Sequence, residues 1–158
     1  MEKDIEYKVV ELLIKKGFHI TFAESCTAGL AAGRLVNVPD ASKVLDVSFV
    51  TYANEAKVKY VGVDEETIER CGVVSEEVAG QMARGAAEAM GAEVGVGISG
   101  IAGPTGGTAE KPVGMVCFGI CIDGEVSTYT KQFGNIGRNE VRACSVDFIY
   151  EKLAELLK

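Results

Sequence analysis

Residues 23–29 read Ala23-Glu24-Ser25-Cys26-Thr27-Ala28-Gly29, and the hydropathy pattern changes period across them. Upstream, Phe18, Ile20 and Phe22 alternate with His19, Thr21 and Ala23, a period of two that predicts a β-strand with one buried face. From Cys26 to Val36, Ala28, Ala31, Ala32, Leu35 and Val36 recur at helical spacing, with the hydroxyl of Ser25 or Thr27 available as an N-cap. A strand therefore hands over to a helix at a hydroxyl-bearing turn. Unpaired N–H groups and the positive end of a helix dipole converge at such a place, which suits a bound anion or a developing oxyanion. Capping alone also accounts for a hydroxyl there, so the role of Ser25 depends on what the remaining elements bring to it.

Working outward, residues 2 to 16 put Ile5, Val9, Leu12 and Leu13 on one stripe, and Gly17 stops that helix. After Ser25 the helix gives out at Asn37 to Asp40, where Pro39 forbids continuation. Val44 to Tyr52 reads as a second strand, followed by a short helix to about Tyr60 for which Asn54 is a candidate cap. Lys57 then falls in the first turn of that helix, where the dipole disfavours a cation and lowers a lysine pKa. Asp64 caps a short helix ending at Gly72, and Ser75 caps a longer one whose buried stripe is Val78, Met82, Ala86 and Met90.

Glu93 to Ile98 alternates large and small, and its Gly95 and Gly97 face admits a closely packed helix. The loop that follows, Ser99 to Thr108, contains Gly100, Gly103, Thr105, Gly106 and Gly107, whose backbone can approach a ligand and cup an anion. GVGISG at 95–100 fits a dinucleotide fingerprint only in letters, since it lies inside a strand and runs into a Pro-containing loop. Val113 to Ile122 and Glu125 to Phe133 form a hairpin about Asp123-Gly124. The last helix, Arg138 to Lys158, turns Val141, Cys144, Phe148, Leu153 and Leu156 inward. Arg138 and Arg142 sit at its beginning, where the dipole opposes positive charge, so a protein carboxylate or a ligand phosphate is expected beside them. Alternating strands and helices with one hairpin predict an α/β fold: a three-layer α/β/α sandwich on a mixed sheet of about five strands.

A chain of 158 residues fits one domain, 1–158. Its net charge of −7 argues against non-specific nucleic-acid binding, so an anionic substrate requires locally placed cations. No apolar run of about 18 residues exists and the start MEKDIEYK is not signal-like, which predicts a cytoplasmic protein without a membrane partner. Five cysteines without a CxxC pair read as reduced, buried thiols. His19 is the single histidine, so no histidine cluster suggests a metal, and hydrolytic chemistry needs another base. A symmetric homodimer is the default expectation for a small enzyme.

In this order, AESCTAG, TYANEAK, GISGIAGPTGGTAEKPVG and GRNEVR resemble, over nearly the whole chain, the C-terminal domain of the competence-damage-inducible protein family. Single-domain members of that family are nicotinamide mononucleotide amidohydrolases, and larger members carry an additional domain resembling molybdopterin-binding proteins. The resemblance implies Ser25 as nucleophile, Lys57 as its base and Tyr52 as a relaying or positioning hydroxyl. It further implies that backbone nitrogens at Cys26 and Thr27 face the oxyanion, and that the 100–108 loop with Arg138 or Arg142 holds the ribose and phosphate. Asn54 would hold the carboxamide or cap its helix. No metal or cofactor is implied. The family more often has Gly at Ala28 and an acidic residue at Gly137. Two other readings share these residues: a nucleotide-binding module without turnover, and a Ser-Lys amidase for another small amide. The base role makes a demand, because a lysine with a pKa near 10.4 needs about 4 kcal/mol to be neutral near pH 7.5. The helix dipole supplies part, so Lys57 is expected to be desolvated.

Overall fold

The computed structural model describes residues 4–158, so residues 2 and 3 of the first predicted helix lie outside the described residues. The elements follow as α1 (Ile5–Lys16), β1 (Ile20–Glu24), α2 (Leu30–Leu35), β2 (Leu45–Val50), α3 (Asn54–Val61), α4 (Glu65–Cys71), α5 (Glu76–Met90), β3 (Val94–Gly100), β4 (Met115–Ile122), β5 (Glu125–Gln132) and α6 (Arg138–Leu156). The strands form one sheet in the order β2-β1-β3-β4-β5. β1 runs parallel to both β2 and β3, whereas β3, β4 and β5 are successively antiparallel. This is the mixed five-stranded α/β sandwich that the alternation predicts.

β1 is an interior strand between β2 and β3, and every one of its residues is buried. Helices cover both of its faces, which corrects the expectation of one buried face. On one side Ile20, Phe22, Val96, Phe118 and Ile120 join Val9, Leu13, Leu35, Ile149 and Leu153 from α1, α2 and α6 in a single apolar cluster. On the other side the strands present small residues, and α5 lies directly on them. A Cβ built on Gly97 would stand 2.2 Å from the Ala79 carbonyl oxygen of α5, so nothing larger than glycine fits. GVGISG is therefore strand interior, and its glycines serve helix packing.

Local signals set several boundaries. The Asp64 carboxylate accepts from the Glu66 amide at 2.9 Å and the Ser75 hydroxyl from the Val78 amide at 3.2 Å, so both predicted caps are present. Asp123 and Gly124 have φ of +50° and +84°, the pair of left-handed residues a two-residue hairpin needs. Cys117 and Cys121 face α5 in the core. Met90 is 51% exposed and Leu156 37%, so neither belongs to its predicted stripe; each sits in the last turn of its helix, beyond the sheet it would have to cover. Among the described residues no helix is long and apolar enough to cross a membrane.

Candidate active site

In an open sheet with parallel strands, ligands collect beyond the carboxyl ends of strands where the connections reverse direction. Here β1 is followed by β2 on one side and β3 on the other, and the ends of all three open on one cleft of about 310 Å³. Ser25 and Cys26 enter it from the end of β1, Tyr52, Asn54 and Lys57 from beyond β2, and Ser99 to Gly106 from the end of β3. Arg138, at the start of α6, closes the rim.

Lys57 is 1% exposed. Its Nζ lies 3.1 Å from Ser25 Oγ, 2.6 Å from the Thr51 carbonyl oxygen and 3.2 Å from that of Tyr52. A neutral amine has two N–H groups and one lone pair. With both N–H groups given to carbonyls, the lone pair is left facing the serine hydroxyl. Burial lowers the Lys57 pKa from 10.5 to about 8, the direction a general base requires. That shift supplies about 3 kcal/mol of the demand set out above, at about 1.4 kcal/mol per unit. Desolvation is the cause, so the first-turn position of Lys57 is secondary. The Cys26 thiol beside it is pushed by burial to about 11 and stays protonated.

The turn around Ser25 differs from its prediction. α2 begins at Leu30 with Gly29 as N-cap residue, and neither Ser25 nor Thr27 caps it. Ala28 and Gly29 have φ of +46° and +96°, and two successive left-handed residues interrupt any helix running from Cys26. The capping group is Glu24, wholly buried at the end of β1. Its Oε1 accepts from Thr27 Oγ1 at 2.7 Å and the Ala31 amide at 2.8 Å; its Oε2 accepts from the Ala32 amide at 3.2 Å and Ser48 Oγ at 2.8 Å. One carboxylate thus ties the Ser25 turn to α2 and β2. The carboxylate occupies the helix dipole there, leaving the Cys26 and Thr27 amides as the turn's own candidates for an oxyanion. The Ser25 amide is engaged by the Ile98 carbonyl at 3.0 Å.

The other predicted residues separate into two groups. Gly100, Gly103, Thr105, Gly106, Asn54, Tyr52 and Arg138 line the cleft, whereas Thr27, Gly107 and Arg142 do not. Asn54 is the first residue of α3 after the N-cap Ala53 and makes no cap, which corrects that alternative and leaves its amide at the cleft. Arg138 donates to the Gly103 carbonyl at 2.9 Å and to the Tyr52 hydroxyl at 3.0 Å. Arg142 donates through Nε to the Cys26 carbonyl at 2.8 Å. Among the described residues neither arginine pairs with a carboxylate, the first of the two partners expected for them. Arg142 braces the Ser25 turn from behind, while Arg138 keeps its place at the opening. His19 lies just before β1, at the far end of the strand from Ser25, hydrogen-bonded to Asp46 at 2.7 Å.

Residues 2–157 match the model of the CinA C-terminal domain. The chain belongs to that family. A CinA-like protein of Kosmotoga olearia is 46% identical over 159 residues, covering 99% of this chain and 39% of its own length. A putative competence-damage inducible protein of Alkaliphilus oremlandii is 44% identical, covering 94% of this chain and 36% of its own length. The chain thus spans about two fifths of these curated relatives. Among solved structures, the competence/damage inducible protein CihA from Agrobacterium tumefaciens superposes with a TM-score of 0.93 at 40% identity, covering 100% of this chain and 98% of its own. A CinA superfamily protein from Escherichia coli gives 0.90 at 36% identity, covering 97% and 90%.

Ala28 and Gly137, singled out in the sequence, both adopt positive φ. Ala28 adopts a left-handed conformation in the Ser25 turn, outside the helix, where glycine is easier by about 1–2 kcal/mol. Gly137, at φ +107°, is the N-cap residue of α6, and Arg138 still reaches the cleft. A larger groove of about 840 Å³ runs along α5, β4 and β5. Its Glu76 and Lys111 are engaged by protein partners, Glu76 by Thr128 and Thr130 and Lys111 by two carbonyls.

Proposed function

We propose that this chain hydrolyses the carboxamide of nicotinamide mononucleotide, releasing nicotinate mononucleotide and ammonia. The observation that carries the reading is the Lys57 amine, desolvated and held by two carbonyls with its third direction on Ser25 Oγ. Neutral Lys57 takes the Ser25 proton as Oγ attacks the amide carbon, and the amide of Cys26, which lines the cleft as Thr27 does not, receives the oxyanion. The tetrahedral intermediate expels ammonia with the proton returned by Lys57. Water, activated by the same amine, then cleaves the acyl-serine to the carboxylate.

The cleft lining supports a phosphorylated substrate. It contains Arg138 and no Asp or Glu, so its field favours an anion even with Lys57 neutral. Its volume of about 310 Å³ lies at the lower end of ligand cavities and suits a mononucleotide better than a dinucleotide.

The test is ammonia release from nicotinamide mononucleotide and from free nicotinamide by the purified chain. The mononucleotide should be strongly preferred, and Arg138→Ala should raise its KM about tenfold or more while leaving the slow reaction of nicotinamide unchanged, as expected for one lost charge-assisted contact. Tight binding of the mononucleotide without ammonia would instead make the chain a nucleotide-binding module. Equal turnover of both amides would make it an amidase of another specificity.

The pH profile follows from the direction of the lysine shift. The base must be neutral, so kcat/KM should rise about tenfold per unit below pH 8 and level off above it. A flat profile between pH 6 and 9 would remove Lys57 from the role.

A further inference from the structure

We propose that Lys111 is a positioning residue that pins the glycine-rich wall of the cleft and thereby sets the affinity for the nucleotide. This rests on the reading above for the identity of the ligand. Lys111 lies nine residues beyond the end of the Ile101-Ala102 stretch, on the return limb of the loop between β3 and β4. Its Nζ donates to the carbonyls of Cys71, the last residue of α4, and of Val74, in the link between α4 and α5, the latter at 2.7 Å. Its backbone closes the loop on itself: the Lys111 carbonyl accepts from the Thr108 amide at 2.8 Å, and the Lys111 amide donates to Thr108 Oγ1 at 3.0 Å.

The receiving side is shaped for this contact. Gly72 has φ +81°, and a Cβ there would stand 2.7 Å from Lys111 Nζ, so a side chain at 72 would displace the ammonium. Ser99 Oγ donates to the Val73 carbonyl at 2.9 Å, a second tie between the same link and the end of β3. Val73 and Val74 themselves line the cleft. The link and the glycine loop therefore form one continuous wall, held by Lys111 at one end and by the Arg138 contact with Gly103 at the other. Ser25 stands in the turn after β1 and Lys57 on α3, and the contact between them involves no atom of Lys111.

Lys111→Met keeps the stem and removes the donors. Its KM for nicotinamide mononucleotide should rise about tenfold, as expected when a wall that binds ground and transition states alike is loosened, while kcat and the midpoint of its pH profile stay unchanged. Gly72→Ala should raise KM at least as much, because it displaces the ammonium and strains the backbone at φ +81° as well. Two further readings separate this proposal from the catalytic one. Hydrogen exchange of residues 101–114 should quicken in Lys111→Met while α5 and β1 keep their protection, whether or not the chain turns over any substrate. Calorimetry in a Ser25→Ala background should show the same loss of nucleotide affinity without chemistry. If ammonia never appears but these two effects do, the function fails and the pin stands. Unchanged exchange in the loop, or a fall in kcat with KM unaltered, overturns the pin.

Discussion

Lys57→Met abolishes turnover, lowering kcat by at least about a thousandfold, and leaves the fold in place. Methionine fills nearly the volume of the buried lysine stem but offers no lone pair to Ser25. The substitution also removes a group that is costly to charge in this environment, which offsets the two donors lost by the Thr51 and Tyr52 carbonyls. The melting temperature should therefore move by no more than about 5 °C. Ser25→Ala should match the loss of kcat, and the double variant should be little worse than either, because groups that act as a unit are not additive. Near-normal kcat in Lys57→Met, measured as single-turnover ammonia release, would withdraw the base. A collapse of the melting temperature by tens of degrees would show the lysine to be structural first.

The second large effect falls on Glu24 and on stability. Two backbone amides and two hydroxyls converge on its two oxygens. Glu24→Gln keeps the shape but replaces one oxygen with an N–H₂ group. The hydroxyls of Thr27 and Ser48 can rotate to accept from it; the Ala31 and Ala32 amides cannot. Whichever way the amide is turned, one backbone N–H then faces a donor in a wholly buried site. An unsatisfied buried donor costs about 1–3 kcal/mol and the weakening of the remaining bonds adds to it, so a loss of about 2–4 kcal/mol is expected. For a chain of 158 residues that is a fall of about 5–15 °C in melting temperature. Because Thr27 holds the turn two residues beyond Ser25, kcat should fall with it. Thermal melts with unchanged midpoints would show that the carboxylate is dispensable.

Glu24 also illustrates what the sequence did and did not disclose. Elements specified by neighbouring residues were legible: the Asp64 and Ser75 caps, the Asp123-Gly124 hairpin, the helix-packing face of Gly95 and Gly97. Ser25 and Lys57 were legible as types, a hydroxyl at a strand end and a lysine at the next helix start. A charged residue beside a turn looks solvent-exposed until the strand order shows β1 inside the sheet, with its last residue hydrogen-bonded to a helix start. The available signal was the combination of Glu24 ending an apolar strand with Thr27 three residues on, which closes a local hydrogen bond. The capping errors have the same origin. Asn54 has the right chemistry for a cap, but extended Ala53 takes the N-cap position, and the conformation of Ala28 moves α2 four residues downstream. Arg142 could not be assigned from sequence because its partners, the carbonyls of Cys26 and Thr27, come from the far end of the chain.

The position of β2 has a consequence for how this chemistry can be lost. The amine and the alcohol are brought within reach by one parallel ladder, in which Glu24 lies opposite Val50 and the Thr51 amide donates to the Glu24 carbonyl at 2.9 Å. That ladder joins an interior strand to an edge strand of the sheet. The proton relay thus hangs from the margin of the molecule, where fraying begins, and a slip of one residue would carry the lysine's cradle about 3.3 Å away and turn it to the opposite side. The active site is only as durable as the hem of its sheet.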